Sequence, residues 1–218
     1  DGYVIPGGFS YQDRVRAGAI AAKKAICSAL VSATAAGKPV LGICNGAQVL
    51  VETGLVPGHT PEEVQMALAD NRVEGREGYH CDWVYIRAEK NERHAFSRRF
   101  DPGEVIPIPV AHAEGRFVTR DDDVLRRIVA ENQVGFRYCT VRGQVVEMFP
   151  VNPNGAQLNL AGLYNVEGNV LALMPHPERG AWMRQVPADM TLTEPGQAPG
   201  MKFFLSMKDF IEERRDWE

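Results

Sequence analysis

Pro39-Val40-Leu41-Gly42-Ile43-Cys44-Asn45-Gly46-Ala47-Gln48-Val49-Leu50-Val51 is the stretch that decides the fold. Its first half is a short apolar run opened by proline, the pattern of a buried strand. Its second half runs without a break into helical spacing through Val49-Leu50-Val51 and stops at Gly54. Upstream, Tyr3-Val4-Ile5 ahead of Pro6-Gly7-Gly8 reads as a second buried strand ending in a tight loop. Between the two lies an Ala-rich segment from about Arg16 to Ala36, with Ile20, Ile26, Leu30 and Val31 at helical spacing and Gly37 as its stop. Strand, helix, strand, helix predicts an α/β fold: a mostly parallel sheet with helices on both faces.

Downstream the pattern changes. His80 to Ala88 and Val105 to Val110 read as strands joined by a polar connection. Asp121-Asp122-Asp123 reads as the cap and acidic first turn of a helix over Val124 to Ala130, because no further metal ligands lie near it in sequence. Val134 to Tyr138, Val141 to Phe149 and Leu158 to Tyr164 are expected as strands, with turns at Gly143 and Asn152-Pro153-Asn154-Gly155. Val170 to Met174 is the last expected strand and Met201 to Arg214 the last helix, with 180–200 as a Pro- and Gly-rich loop. No repeat or linker divides the 218 residues, so 1–218 reads as a single domain.

Composition narrows the class. The chain has 24 basic and 28 acidic side chains, a net charge of −4, and no excess of Lys and Arg for displacing phosphate counterions. A general nucleic-acid binder is excluded. No apolar run approaches the roughly 18 residues that cross a bilayer, so no membrane partner is expected. Cys27, Cys44, Cys81 and Cys139 form no CxxC or zinc-ribbon spacing, so no metal is expected. A chain this long and this poor in cysteine reads as a reduced, intracellular enzyme with free thiols.

One of those thiols is placed differently from the rest. Cys44 stands between a buried strand and a helix, with Gly42 and Gly46 two positions away on each side, as in a nucleophile elbow. The helix start would set positive partial charge and free N–H groups beside the sulfur, favouring thiolate, with the Asn45 N–H placed for a developing oxyanion. A structural cysteine in a strand-to-helix turn fits the same heptad, and Cys27, Cys81 and Cys139 read as packed thiols. A thiol nucleophile needs a base and the base an orienting partner. Two pairs compete, His112-Ala113-Glu114 and His176-Pro177-Glu178. The second is stiffened by Pro175 and Pro177 just past a buried strand, where sites of open parallel sheets gather. His59, His80 and His94 stand in polar surroundings and read as surface residues.

Gly42-Ile43-Cys44-Asn45-Gly46-Ala47-Gln48 with Pro175-His176-Pro177-Glu178-Arg179 resembles the class I (triad) glutamine amidotransferases. Pro6-Gly7-Gly8-Phe9-Ser10-Tyr11, Arg16-Ala17-Gly18-Ala19-Ile20 and Val110-Ala111-His112-Ala113-Glu114-Gly115 resemble one family among them. That family is PurQ, the glutaminase subunits of phosphoribosylformylglycinamidine synthase. The similarity runs from Asp1 to about Arg179 and, with gaps, into the last helix. It implies the flavodoxin-like fold of that class and a triad of Cys44, His176 and Glu178. This triad would hydrolyse glutamine through a γ-glutamyl thioester, releasing ammonia. It also implies Gly8, Phe9 and Asn45 around the oxyanion, Gln48 in glutamine contact, and His112 and Glu114 near the ammonia exit and the partner.

The ammonia would pass to a large ATP-dependent synthase subunit of purine biosynthesis, aided by a small third subunit, in the cytoplasm. No cofactor is expected in this chain, with ATP and magnesium held by the synthase. Ala47, Gln12, Ala113 and Asp82 depart from the residues usual in that family, and 59–79 and 182–200 are longer than in its compact members. The resemblance also implies a further strand, helix and strand-like segment ahead of Gly7, about forty residues, for a native chain nearer 260. Two other readings keep the residues: a glutaminase domain of another amidotransferase or a γ-glutamyl cysteine hydrolase, and a thiol sensor using Cys44 for redox chemistry.

Overall fold

In chain order the first half comprises β1 (Tyr3–Ile5), α1 (Ala19–Ala22), α2 (Ala25–Ala35), β2 (Val40–Ile43) and α3 (Asn45–Glu52). The computed structural model describes residues 1–89, 91–190 and 198–215. The middle holds β3 (Ala67–Ala69), β4 (Arg72–Val73), β5 (Arg76–Glu77), β6 (His80–Ala88), β7 (Val105–His112) and β8 (Arg116–Val118). Then come α4 (Asp122–Ala130), β9 (Val134–Cys139), β10 (Leu160–Tyr164), β11 (Val170–Leu173) and α5 (Met201–Arg215). Asp121 caps α4 as expected, its carboxylate accepting the Asp123 N–H.

Seven strands form one sheet in the order β1-β2-β11-β10-β9-β6-β7. Five of them (β1, β2, β11, β9 and β7) run in one direction, so the sheet is mostly parallel in sense. In pairing it is mixed: β1/β2 and β2/β11 are parallel, and the other four neighbouring pairs are antiparallel. The sheet also curls. His176, just past β11, donates its N–H to Pro109 O of β7 at 2.8 Å, although four strand-to-strand steps separate the two.

Helices cover both faces. A side chain at Gly42 would strike Gly46 and Leu50, so α3 lies on the Gly42 face. Ile43 points the other way, level with Leu173, Gly162 and Phe136 through successive pairings, and Phe136 meets Phe203 of α5 with ring centroids 4.8 Å apart. The core between these layers is the fully buried run Val40, Leu41, Val170, Leu171 and Leu173 with Phe96, Phe100, Phe136 and Phe203.

Gly46 is where the first layer closes most tightly. A Cβ there would stand 2.1 Å from Ile5 O of β1. Gly46→Ala is expected to cost about 3 kcal/mol by overpacking, lowering Tm by about 6–12 °C for a chain this size. Thermal unfolding checks it, and an unchanged Tm would mean that β1 is not held against α3.

Several expectations are corrected. The helix expected over 16–36 breaks at Lys24, which is extended (φ −84°, ψ 150°). Gly18 (φ +80°) presses on the backbone of Gln48 and Val49 ahead of the break, where any side chain would collide. Residues 141–149 form no strand: β9, which they follow, has both edges taken by β10 and β6, so no ladder is open to them. His80 and His94 are buried, not surface residues, and half-buried His59 bonds Gln133. Cys81 is exposed, because it sits on the outward side of β6; all four thiols are free. Residues 177–190 contain three short 3-10 turns, and 191–197 of the expected loop lie outside the described residues. Among the described residues no helix is long and apolar enough to cross a membrane.

Candidate active site

Cys44 occupies the joint between β2 and α3 with φ +50° and ψ −106°, a left-handed value that a non-glycine residue rarely adopts. The elbow lifts the side chain off the strand direction, and Gly42 and Gly46 let α3 start against β2 and β1 without collision. The residue is 6% exposed. Its thiol donates to Ala111 O at 3.7 Å, a contact brought in by the curl of β7. Burial pushes the thiol up to about 11; the Asn45 N–H and the Arg179 charge pull it down, and Glu178 and Asp13 push it up. The helix start acts in the expected direction, but desolvation outweighs it, so the expectation of a favoured thiolate is corrected.

His176 follows β11, with Pro177 opening a 3-10 turn over Pro177–Gly180. That turn carries Glu178 back so that its Oε1 accepts from His176 Nδ1 at 2.7 Å. Nδ1 is then the N–H, and Nε2 is left with a lone pair. Nε2 is buried and has no partner among the described residues. The loop after β1 joins this pair to the cysteine: a Cβ on Gly7 would lie 2.9 Å from His176 Cε1 and 3.5 Å from Cys44 Cβ. Thiol, imidazole and carboxylate therefore occupy one corner, supplied by β2/α3, β11 and the turn after it.

The residues expected at the glutamine pocket lie around that corner. A Cβ on Gly8 would meet nothing within 4 Å, so open space lies beside it, and Phe9 is 67% exposed. Asn45 and Gln48 face each other on the first turn of α3, where Asn45 Nδ2 donates to Gln48 Oε1 at 2.8 Å. Asn45 Oδ1 accepts the Ser10 N–H at 3.1 Å, and Gln48 Nε2 donates to Glu114 O at 2.7 Å. These bonds tie the Gly7–Ser10 loop, α3 and the turn after β7 into one frame.

The competing pair separates. Glu114 Oε2 accepts the Ala17 N–H at 3.2 Å and burial raises its pKa, while His112 bonds Asn71 instead. His112 lies at the end of β7 beside the corner: burial and the nearby His176 and His80 imidazoles lower its pKa to about 3. Sequence reasoning missed Asn71, Ser10, Arg179 and the Ala111 carbonyl. Ser10, Arg179 and Ala111 stood inside quoted motifs, but Asn71 did not, and the Ala111 carbonyl reaches the thiol only through tertiary pairing. Among the described residues no three His, Cys, Asp or Glu side chains are arranged to hold a metal ion.

The raised thiol has a pH consequence. In the chain alone, alkylation of Cys44 by iodoacetamide should rise with pH through 9 without levelling, and peptide mass spectrometry separates it from exposed Cys81. An unfolded thiol near 9.0 loses its proton before the folded one near 11, so stability from this group is present below pH 9 and declines between the two values. A plateau near neutral pH would show a thiolate already paired with His176.

Residues 1–211 match the family of CobB/CobQ-like glutamine amidotransferase domains. The chain is 48% identical over 221 residues to phosphoribosylformylglycinamidine synthase subunit PurQ of Methanothrix thermoacetophila, covering 99% of this chain and 83% of that one. It is 42% identical over 211 residues to the PurQ subunit of Methanocaldococcus jannaschii, covering 97% and 81%. Among solved structures it is similar to PurLQS from Thermotoga maritima, with a TM-score of 0.71, 35% identity, and coverage of 95% of this chain and 78% of that chain.

Proposed function

Since this chain belongs to the CobB/CobQ-like glutamine amidotransferases, and within them to the PurQ family, we propose that it is the glutaminase subunit of a phosphoribosylformylglycinamidine synthase. The observation that supports the mechanism best is the contact made at Gly7: one small residue separates His176 Cε1 and Cys44 Cβ, and Glu178 holds the far side of the imidazole.

His176 Nε2 takes the Cys44 proton as the sulfur attacks the side-chain carbonyl of glutamine. The developing oxyanion is met by the Asn45 N–H and by N–H groups of the Gly7-Gly8-Phe9 loop. The imidazolium, steadied by Glu178, returns the proton to the nitrogen, the C–N bond breaks, and ammonia leaves a γ-glutamyl thioester. His176 then activates water, which releases glutamate. The ammonia goes to the ATP-dependent synthase subunit, where ATP and magnesium are held; a small third subunit completes the assembly, and the reaction belongs to the cytoplasm.

The buried thiol and the mutual pairing of Asn45 with Gln48 support a resting state in the chain alone. Glutamine hydrolysis is therefore expected to be slow for the chain by itself and at least about tenfold faster with the synthase subunit and its formylglycinamide ribonucleotide substrate. Steady-state ammonia release with and without that subunit checks this. Activity high alone and indifferent to the partner would favour a free-standing γ-glutamyl hydrolase.

A further inference from the structure

A buried asparagine in the excursion between α3 and β6 decides which nitrogen of His112 carries its proton. Asn71 Nδ2 donates to Gly78 O at 3.0 Å and to His112 O at 2.7 Å. Its Oδ1 accepts the Gly115 N–H at 3.0 Å and faces His112 Nδ1 at 3.1 Å. Carbonyls cannot donate and a backbone N–H cannot accept, so the amide cannot be turned round. Nδ1 of His112 is therefore the N–H, and Nε2 the lone pair. The ring is locked as well: Asn71 N donates to Ala113 O at 2.7 Å, and a Cβ on Gly115 would lie 2.3 Å from the imidazole. His112 is 2% exposed, and its Nε2 is buried with no partner among the described residues. A bare buried acceptor held this firmly has its lone pair free for a ligand.

We infer that His112 Nε2 accepts an N–H of the carboxamide nitrogen that departs as ammonia, and that Asn71 is the positioning residue that keeps it an acceptor. This rests on the glutaminase reading above and deepens it. In the tetrahedral adduct the nitrogen has two N–H bonds and one lone pair, and the lone pair must face the protonated His176 before the C–N bond can break. An N–H held by His112 turns it that way. The proton moves from Cys44 to His176 to the nitrogen, the C–N electron pair leaves with ammonia, and the oxyanion reforms the carbonyl. His112 ends with the protons it began with. Its low affinity for a proton, set by burial and by His176 and His80, keeps it an acceptor while His176 is charged. The excursion 59–79 thereby acquires a role, since Asn71 is its contribution to the site.

A leaving group without N–H cannot use this acceptor, and that separates a chemical role from a packing one. In the complex with the synthase subunit, kcat/KM is measured for glutamine and for its γ-methyl ester, because this ratio reports the step that forms the thioester. His112→Leu is expected to lower the glutamine value about 10- to 100-fold and the ester value less than about threefold. Asn71→Leu should move the ratio in the same direction. His112→Gln, whose amide oxygen reaches the place of Nε2, should recover part of the glutamine rate. Equal losses on both substrates, or none, would overturn the inference. Should the replacements unfold the chain, imidazole 15N NMR of the unmutated protein still decides: His112 must show a protonated Nδ1 and a bare Nε2 at neutral pH, and the opposite tautomer refutes it. A wild-type chain inactive on both substrates would instead overturn the glutaminase reading.

Discussion

Cys44→Ala is expected to abolish glutamine hydrolysis, a loss of about a millionfold by comparison with other nucleophile deletions, while the protein stays folded. The fold should survive because alanine keeps the Cβ that the elbow already tolerates, and the thiol's donation to Ala111 O is long, at 3.7 Å. Its removal leaves a void the size of one sulfur, about 1 kcal/mol. The rate should collapse because no other thiol can replace it: Cys27 and Cys139 are buried elsewhere, and Cys81 is exposed on β6. Ammonia release and thermal unfolding measured on one preparation check both halves. Residual hydrolysis near the wild-type rate would remove Cys44 from the mechanism.

His176→Ala should cost nearly as much, about 10⁴- to 10⁶-fold in kcat/KM. The imidazole does three successive tasks in the account above, and its neighbours offer no substitute. His112 is the nearest alternative base by chain position and charge, yet Asn71 fixes its tautomer and burial holds it neutral. Loss of His176 also leaves the Glu178 carboxylate without its 2.7 Å donor, but that carboxylate is exposed and water can replace the donor, so little stability should be lost. The diagnostic comparison is the order of the two histidines. His176→Ala should be slower than any His112 variant by at least about a hundredfold; the reverse order would place the base on the β7 turn.

Local signals carried most of the site. The strand-to-helix passage through Cys44 is visible because proline, β-branched residues and glycine punctuate it within thirteen positions, and the observed β2 and α3 follow it closely. The His176–Glu178 pair is likewise local, since prolines confine both residues to one short turn. The remainder depends on pairings that no window of sequence contains. The antiparallel half of the sheet follows from β9 being inserted between β10 and β6, and this insertion is what denies 141–149 a partner. His80 and His94 looked polar in sequence, but tertiary packing sets their rings against Phe149 and Tyr164. Asn71 sits 41 residues from the histidine it orients, in a segment whose composition marks it only as an excursion. The thiol's raised affinity for its proton was equally hidden: the helix start is local, whereas the burial that opposes it comes from β7 folding over the elbow.

In this mechanism Cys44 carries the glutamyl group. Acid-quenching the assembled synthase during turnover with glutamine, then digesting it and weighing the peptides, tests this most directly. One glutamyl adduct is expected on the peptide containing Cys44. An adduct on another cysteine, or continued hydrolysis by a Cys44→Ala protein with no adduct anywhere, would contradict it.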